Sequence, residues 1–240
     1  MTEDVLPLGD SPRKITLIIP AWNEAPSIGG VLDQLPGGLF HEVLVVDNGS
    51  TDGTGEIAKA HGAKVVREER LGYGSACLAG IANGSPDSEV IMFLDADGSQ
   101  DSPEAPRLLE PILADQADLV IGARRGPHVE KGSLTLHQRW GNALATWLIG
   151  RLYGFRYTDL GPFRAIRRTS LQALHMRDRT FGWTVEMQVK ALKKGLRVRE
   201  VPVNCRVRIG SSKISGNLKN SLLAGTIILW KIVQLKIWKS

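Results

Sequence analysis

The 240-residue chain is short of cysteine and aromatic rings and has no long apolar run. Its two cysteines, Cys77 and Cys205, lie far apart and match no metal-ligand spacing, so a reduced, cytosolic setting is expected. The opening MTEDVLPLGDSPRK is polar and acidic with no apolar core, so it reads as a disordered tail over 1–14 rather than a secretory signal. The longest apolar or weakly polar stretch is 221–230, too short to span a bilayer at about 20 residues. There is no P-loop signature. None of His41, His61, His128, His137 and His175 falls in a motif at a strand end, so all five read as structural or surface residues. Acidic residues are scarce late in the chain. Residues 193–240 hold eleven Lys/Arg against Glu200 alone, a net of +10, whereas residues 1–192 carry −5. A basic final quarter points to an anionic partner.

What is present is an alternation. ITLIIP (15–20), EVLVVD (42–47), AKVVRE (63–68), EVIMFLD (89–95) and ADLVIG (117–122) read as strands. Helices are expected over 25–35, up to about 61, through 82, and over 103–115. This order predicts an α/β fold with a mostly parallel sheet and helices on both faces. Further on, 134–153 and 181–195 suit helices, 161–168 a strand and 196–208 an extended segment. One domain is expected over 15–217, with a donor half (15–122) and an acceptor half (123–217). The segment 218–240 forms a basic C-terminal helix, either packed on the core or lying on an anionic membrane with Trp230 and Trp238 as anchors.

In such sheets ligands bind beyond the carboxyl ends of the strands. The first four strands end in PAWNE, DNGSTD, ERLGYG and DADGS, all polar or Gly-rich. Asp95 and Asp97 repel one another unless a cation or donor sits between them. They either cap the next helix or hold Mg²⁺ or Mn²⁺ against a diphosphate. Asp47 ends the second strand, where it could accept hydrogen bonds from a base or ribose; Asp52 suits a helix cap better. The turn at Gly72 and Gly74 could bring backbone to a phosphate, with Arg70 nearby, or be a plain turn.

ITLIIPAWNE, VVDNGSTDGT and DADGSQDSPE together resemble the family 2 glycosyltransferases, whose fold is the Rossmann-like GT-A. GARR (122–125), RWGN (139–142), DLGPFRA (159–165), GWTVEMQVKA (182–191) and RIGSSK (208–213) resemble the branch of dolichyl-phosphate mannose synthases and related polyprenyl-phosphate glycosyltransferases. The resemblance covers about 15–215. It implies that Pro20, Trp22, Glu24 and Asp47 hold the nucleoside, with Ala96 presenting backbone. Asp95 and Asp97 would meet a metal–diphosphate. Gln100 or Asp101 would supply a third ligand, although the spacing here is longer than in the mannose synthases. Arg124, Arg139, Arg208 and Lys213 match positions used for a lipid phosphate. Asn142 and Ala143 depart from the Ser that the family often has there.

The implied reaction is inverting transfer of a hexose from a nucleotide sugar, GDP-mannose or UDP-glucose, to a polyprenyl phosphate, by a peripheral enzyme on the cytoplasmic side of a membrane. A phosphate acceptor is already ionised near neutral pH, so no strong general base is needed, in keeping with the histidine placement. Asp159 and Glu186 would matter for an alcohol acceptor, or serve as partners of Arg164 or Arg167. A soluble or glycolipid acceptor is the alternative, and a non-catalytic lipid-binding protein the reading from another class. A nucleotidyltransferase is disfavoured, because no basic Gly-rich loop follows the first strand. Nucleic acid is not expected as a partner: the tail tryptophans sit among Ile, Leu and Val rather than among the cations.

Overall fold

The computed structural model describes residues 14–125, 129–210 and 218–237, with backbone only for 218–222. The expected tail, except Lys14, lies outside the described residues, as do His128, Lys213 and Trp238.

Seven strands form one sheet: β1 (Ile15–Ala21), β2 (Glu42–Asp47), β3 (Lys64–Arg67), β4 (Val90–Phe93), β5 (Leu119–Ala123), β6 (Arg164–Arg167) and β7 (Val198–Pro202). Their spatial order is β3-β2-β1-β4-β6-β5-β7. β6 runs antiparallel to both β4 and β5, and every other pairing is parallel. Among the described residues the α-helices are α1 (Ala25–Asp33), α2 (Thr54–Ala60), α3 (Tyr73–Asn83), α4 (Ala105–Leu113), α5 (Leu136–Tyr153), α6 (Arg168–Leu174), α7 (Trp183–Lys193) and, after the last strand, α8 (Leu218–Ile237). The mostly parallel sheet expected from the strand–helix alternation is the one observed, and it agrees with the GT-A fold that the resemblance implies.

The unbroken apolar run of β1 has a direct cause. Successive side chains point to opposite faces, and both faces are covered. Leu17 and Ile19 join α1 and α4 in one core, with Ile28, Leu108 and Ile112. Ile18 joins the other, formed with α3, α5, α7 and α8 around Phe93, Trp183 and Ile232.

The second half departs from the expected pattern in detail. Residues 161–168 yield a strand only over β6, and α6, which no sequence signal singled out, begins at once after it. The stretch 196–208 is a strand only over β7; beyond it the chain becomes a strap across the sheet edge. α5 starts at Thr135, whose hydroxyl and the Gln138 side chain form a reciprocal cap, and stops at Gly154 in the left-handed region.

α3 lies so close to β1 that a Cβ on Gly80 would sit 2.5 Å from Ile18 Cγ2. Gly80→Ala is therefore expected to destabilise the fold by about 1–3 kcal/mol. Gly30→Ala, with open space at the added methyl, should be neutral or stabilising by up to about 1 kcal/mol. Urea unfolding midpoints of the two variants check the contrast.

Candidate active site

The carboxyl ends of β1, β2 and β4 meet at one edge of the sheet. After β1 the chain turns through Asn23, whose φ of 51° is stabilised from the facing loop. Its N–H donates to Ser50 Oγ (2.9 Å), and its side-chain oxygen accepts from the Thr51 N–H (2.8 Å). The Glu24 N–H donates to Thr54 Oγ1. Asp52 accepts from Ala25 N–H and Thr54 N–H, so it braces both loops, one residue ahead of the α2 cap at Gly53. Asp47, buried at the end of β2, accepts from Ser50 N–H (2.8 Å) and faces Arg67 (3.6 Å). Pro20 pairs with Val46 inside the sheet, and Trp22 stands half exposed at the rim. These expected nucleoside residues are thus gathered at one place.

Asp95 and Asp97 follow β4. Burial, reinforced by the Asp97 charge, pushes the Asp95 carboxyl up to about 7. Tyr73 donates its hydroxyl to Asp95 Oδ1 (3.1 Å), and Gln100 donates its amide to Oδ2 (3.1 Å). Burial and the neighbouring Asp95 hold the Tyr73 phenol well above its ordinary pKa, so it remains a donor. The Gln100 side-chain oxygen accepts from the Asp95 N–H (2.9 Å). In this arrangement Gln100 clamps Asp95 with both its oxygen and its amide. Asp101 is taken up by Arg206 (2.6 Å) and Asn204 (3.2 Å). Ala96 is buried in the core beneath the pair.

Two carboxylates with oxygen donors only, both partly buried and one of them reluctant to ionise, fit a hard divalent cation such as Mg²⁺ or Mn²⁺. Among the described residues no group of three or more His, Cys, Asp or Glu side chains is gathered for a metal. A cation held here would draw on Asp95, Asp97 and the ligand itself.

The glycine turn is directed elsewhere. A Cβ on Gly74 would lie 2.2 Å from the Asp178 carbonyl oxygen. The Gly74 and Ser75 N–H groups donate to Thr180 and Arg179 carbonyls (3.3 and 3.0 Å). The turn is tight because it packs on the loop before α7, and those two N–H groups are already engaged. Arg70 has an exposed side chain; its backbone carbonyl accepts from Asn48.

Three of the four expected cations separate, and Lys213 lies outside the described residues. Arg124 Nε and Nη2 donate to the two oxygens of Asp159 (2.7 Å each), and its N–H donates to the same carboxylate (2.8 Å). Burial disfavours this guanidinium, but Asp159 outweighs it and holds the pKa above the ordinary value. Arg208 lies between Glu24 (2.9 Å) and Asp97 (3.5 Å), its Nε buried without a partner among the described residues. The strap holds it there: the Ile209 N–H donates to the Asp97 carbonyl and the Arg206 N–H to Ser99. Arg139 is exposed on α5. Asp159 and Glu186 do not pair with Arg164 or Arg167. Asp159 binds Arg124, and Glu186 binds Lys190 and the Arg177 and Asp178 N–H groups. Arg164, fully buried, is satisfied by the carbonyls of Leu160, Gly161 and Thr184.

A cavity of about 300 Å³ is lined by Tyr73, Asp95 and Arg124 together with residues of the helices. Its walls include Gly141 of α5, Phe181 before α7, and Ile228 and Leu229 of α8, and are mainly apolar. Tyr73 and this cavity were not singled out from sequence. Tyr73 had only its place between two turn glycines as a signal, and the cavity depends on three helices meeting.

The profile of glycosyl transferase family 2 matches residues 16–175. The chain belongs to this family. It is therefore a glycosyltransferase. It is 37% identical over 225 residues to an uncharacterized glycosyltransferase of Mycobacterium tuberculosis, covering 92% of this chain and 98% of that one. It is 33% identical over 223 residues to the undecaprenyl-phosphate mannosyltransferase of Micrococcus luteus, covering 85% and 89%. With the dolichyl-phosphate hexose transferase of Haloferax volcanii it shares 32% over 206 residues, covering 83% and 86%. These likenesses agree with the polyprenyl-phosphate branch. In fold it is similar to the glucosyl-3-phosphoglycerate synthase of Mycobacterium tuberculosis, solved with Mn²⁺, UDP and glucosyl-3-phosphoglycerate. The TM-score is 0.77 at 23% identity, over 95% of this chain and 81% of that one.

Two outcomes follow for this glycosyltransferase. Asp159→Asn leaves the Arg124 guanidinium buried without its anion and should cost about 3 kcal/mol, read as a lowered urea midpoint. Asp178 ties the loop before α7 to α8 through Lys231 (2.9 Å). Burial raises the Asp178 carboxyl, but Lys231 and the Thr180 N–H and hydroxyl outweigh it, so its pKa lies below the ordinary 3.8. The stability it contributes is present above 3.8 and is lost as pH falls through the lower folded value. Lys231→Met should therefore cost about 1–3 kcal/mol near pH 7, and the gap to wild type should shrink below about pH 4. Unfolding measured across pH checks both the sign and the window.

Proposed function

We propose that the enzyme transfers a hexose, with inversion, from a nucleotide diphosphate sugar to a polyprenyl phosphate. The observation that carries this reading is the mainly apolar cavity whose lining includes Asp95 and Arg124. An acceptor that is a phosphate on a long apolar chain matches a cation and hydrocarbon walls in one cavity. The names of the Micrococcus and Haloferax relatives support the same acceptor class. The Mn²⁺ and UDP bound by the synthase of similar fold support a metal-assisted donor site.

The residues divide the work by charge. Pro20, Trp22, Glu24 and Asp47 would receive the nucleoside at the ends of β1 and β2. A divalent cation held by Asp95 and Asp97 would supply offsetting charge for the diphosphate leaving group. Arg124, fixed in orientation by Asp159, would meet the acceptor phosphate with Nη1, which its two bonds to Asp159 leave uncommitted. A phosphate oxygen then attacks the sugar C1 as the C1–O bond to the diphosphate breaks. The configuration at C1 inverts, and the electron pair leaves with the nucleoside diphosphate. Tyr73 and Gln100 hold Asp95 in place throughout. No helix among the described residues is long and apolar enough to cross a membrane. Peripheral action on the cytoplasmic face is part of the proposal.

Purified enzyme given Mn²⁺ or Mg²⁺, a panel of labelled nucleotide sugars and a polyprenyl phosphate should put label into the organic phase. Asp97→Ala should lower the rate by about 100-fold or more. Label on a soluble phosphate acceptor such as 3-phosphoglycerate, with none in lipid, would overturn the polyprenyl acceptor and leave the transferase intact.

A further inference from the structure

Helices α5 and α8 bury one face and leave large apolar side chains on the other. α5 exposes Leu136, Trp140, Leu144 and Trp147, which share one side of the helix. Trp140 is 75% exposed and Trp147 62%. α8 exposes Leu223, Trp230 and Ile237, one every two turns, with Trp230 at 62%. The opposite faces are committed to a common core through Ala145, Ile149, Ile232 and Leu235.

The two helices lie side by side on that core. Tyr153 donates its hydroxyl to the Ile232 carbonyl, and Lys236 donates to the Leu152 carbonyl. Gly141 and Asn142 of α5 and Ala224 and Gly225 of α8 line the same cavity. Both outward stripes therefore front the same side of the molecule. Neither helix contains an Asp or Glu, while Arg139 and Arg151 are exposed on α5. A broad apolar patch of this kind marks an interaction surface.

We propose that the outer faces of α5 and α8 together form a docking surface for an anionic lipid bilayer, with Trp140, Trp147 and Trp230 seated at headgroup level. Charge selects this occupant. An acid-free, cationic face complements anionic headgroups, whereas pairing it with a second copy would set like charges together. Tryptophan at the boundary of an apolar stripe is the residue suited to that depth. No described helix spans a bilayer, so contact is in the plane of the interface. The inference rests on the lipid-phosphate reading for its purpose: the cavity between the same helices would open beside the lipid from which the acceptor comes.

The test uses the full chain and vesicles of phosphatidylcholine with about 30% phosphatidylglycerol, free of polyprenyl phosphate. The wild type should sediment with these vesicles, less so at high salt, and brominated acyl chains should quench its tryptophan emission. The triple variant Trp140→Gln, Trp147→Gln, Trp230→Gln should lose about tenfold or more in partitioning and lose most of the quenching. A second variant, Leu136→Gln with Leu144→Gln, should weaken partitioning in the same direction. Absence of vesicle binding by the wild type, or equal binding by the variants, overturns the proposal. So does a wild-type dimer that the triple variant fails to form, which would assign the face to a second copy. Transfer to a short-chain, water-soluble prenyl phosphate separates the two readings. If vesicles bind but this transfer fails, the acceptor assignment falls and the docking face stands. If transfer proceeds and vesicles do not bind, the docking face falls.

Discussion

A buried strand that ends in two carboxylates sets the terms for the site. β4 is covered on both faces, so Asp95 emerges where water is scarce and a second negative charge sits two residues on. The surrounding groups answer that charge. Tyr73 and Gln100 donate to Asp95, Arg208 faces Asp97, and Arg124 lines the same cavity as Asp95. In the function proposed above, a divalent cation arriving with the anionic substrate would complete that compensation.

The second constraint is the way distant segments are tied to this edge. The strap after β7 bonds through its backbone to Asp97 and Ser99, which carries Arg208 to Glu24 and Asp97. The loop before α7 accepts the N–H groups of the glycine turn and is fastened to α8 by Asp178 and Lys231. The C-terminal helix is thus connected to this edge through one loop, and its position and the shape of the cavity are set together.

Much of the first half was legible in sequence. The apolar runs of β1, β2 and β4 are continuous because both faces are covered, and polar residues begin where the strands leave the sheet. That pattern reveals Asp47, Asp95, Asp97 and Glu24 as edge residues without any knowledge of pairing. Later segments were less legible. β6 is only four residues long, and its antiparallel direction has no local signature. Arg124, Arg139 and Arg208 look alike in sequence, yet one is clamped by Asp159, one is exposed on a helix, and one crosses to Glu24. The choice among them is made by partners 35 and 184 residues away.

The sequence by itself determined the class of fold, the glycosyltransferase family and the edge of the sheet where the candidate site lies. Local periodicity and short motifs suffice for these, because neighbouring residues in one strand or turn act together. Tertiary structure alone decided which cation faces the cavity, why the glycine turn is tight, and that α5 joins α8 in exposing tryptophan. Those features arise where segments far apart in the chain meet, and a pairing between such segments leaves no mark on either one alone.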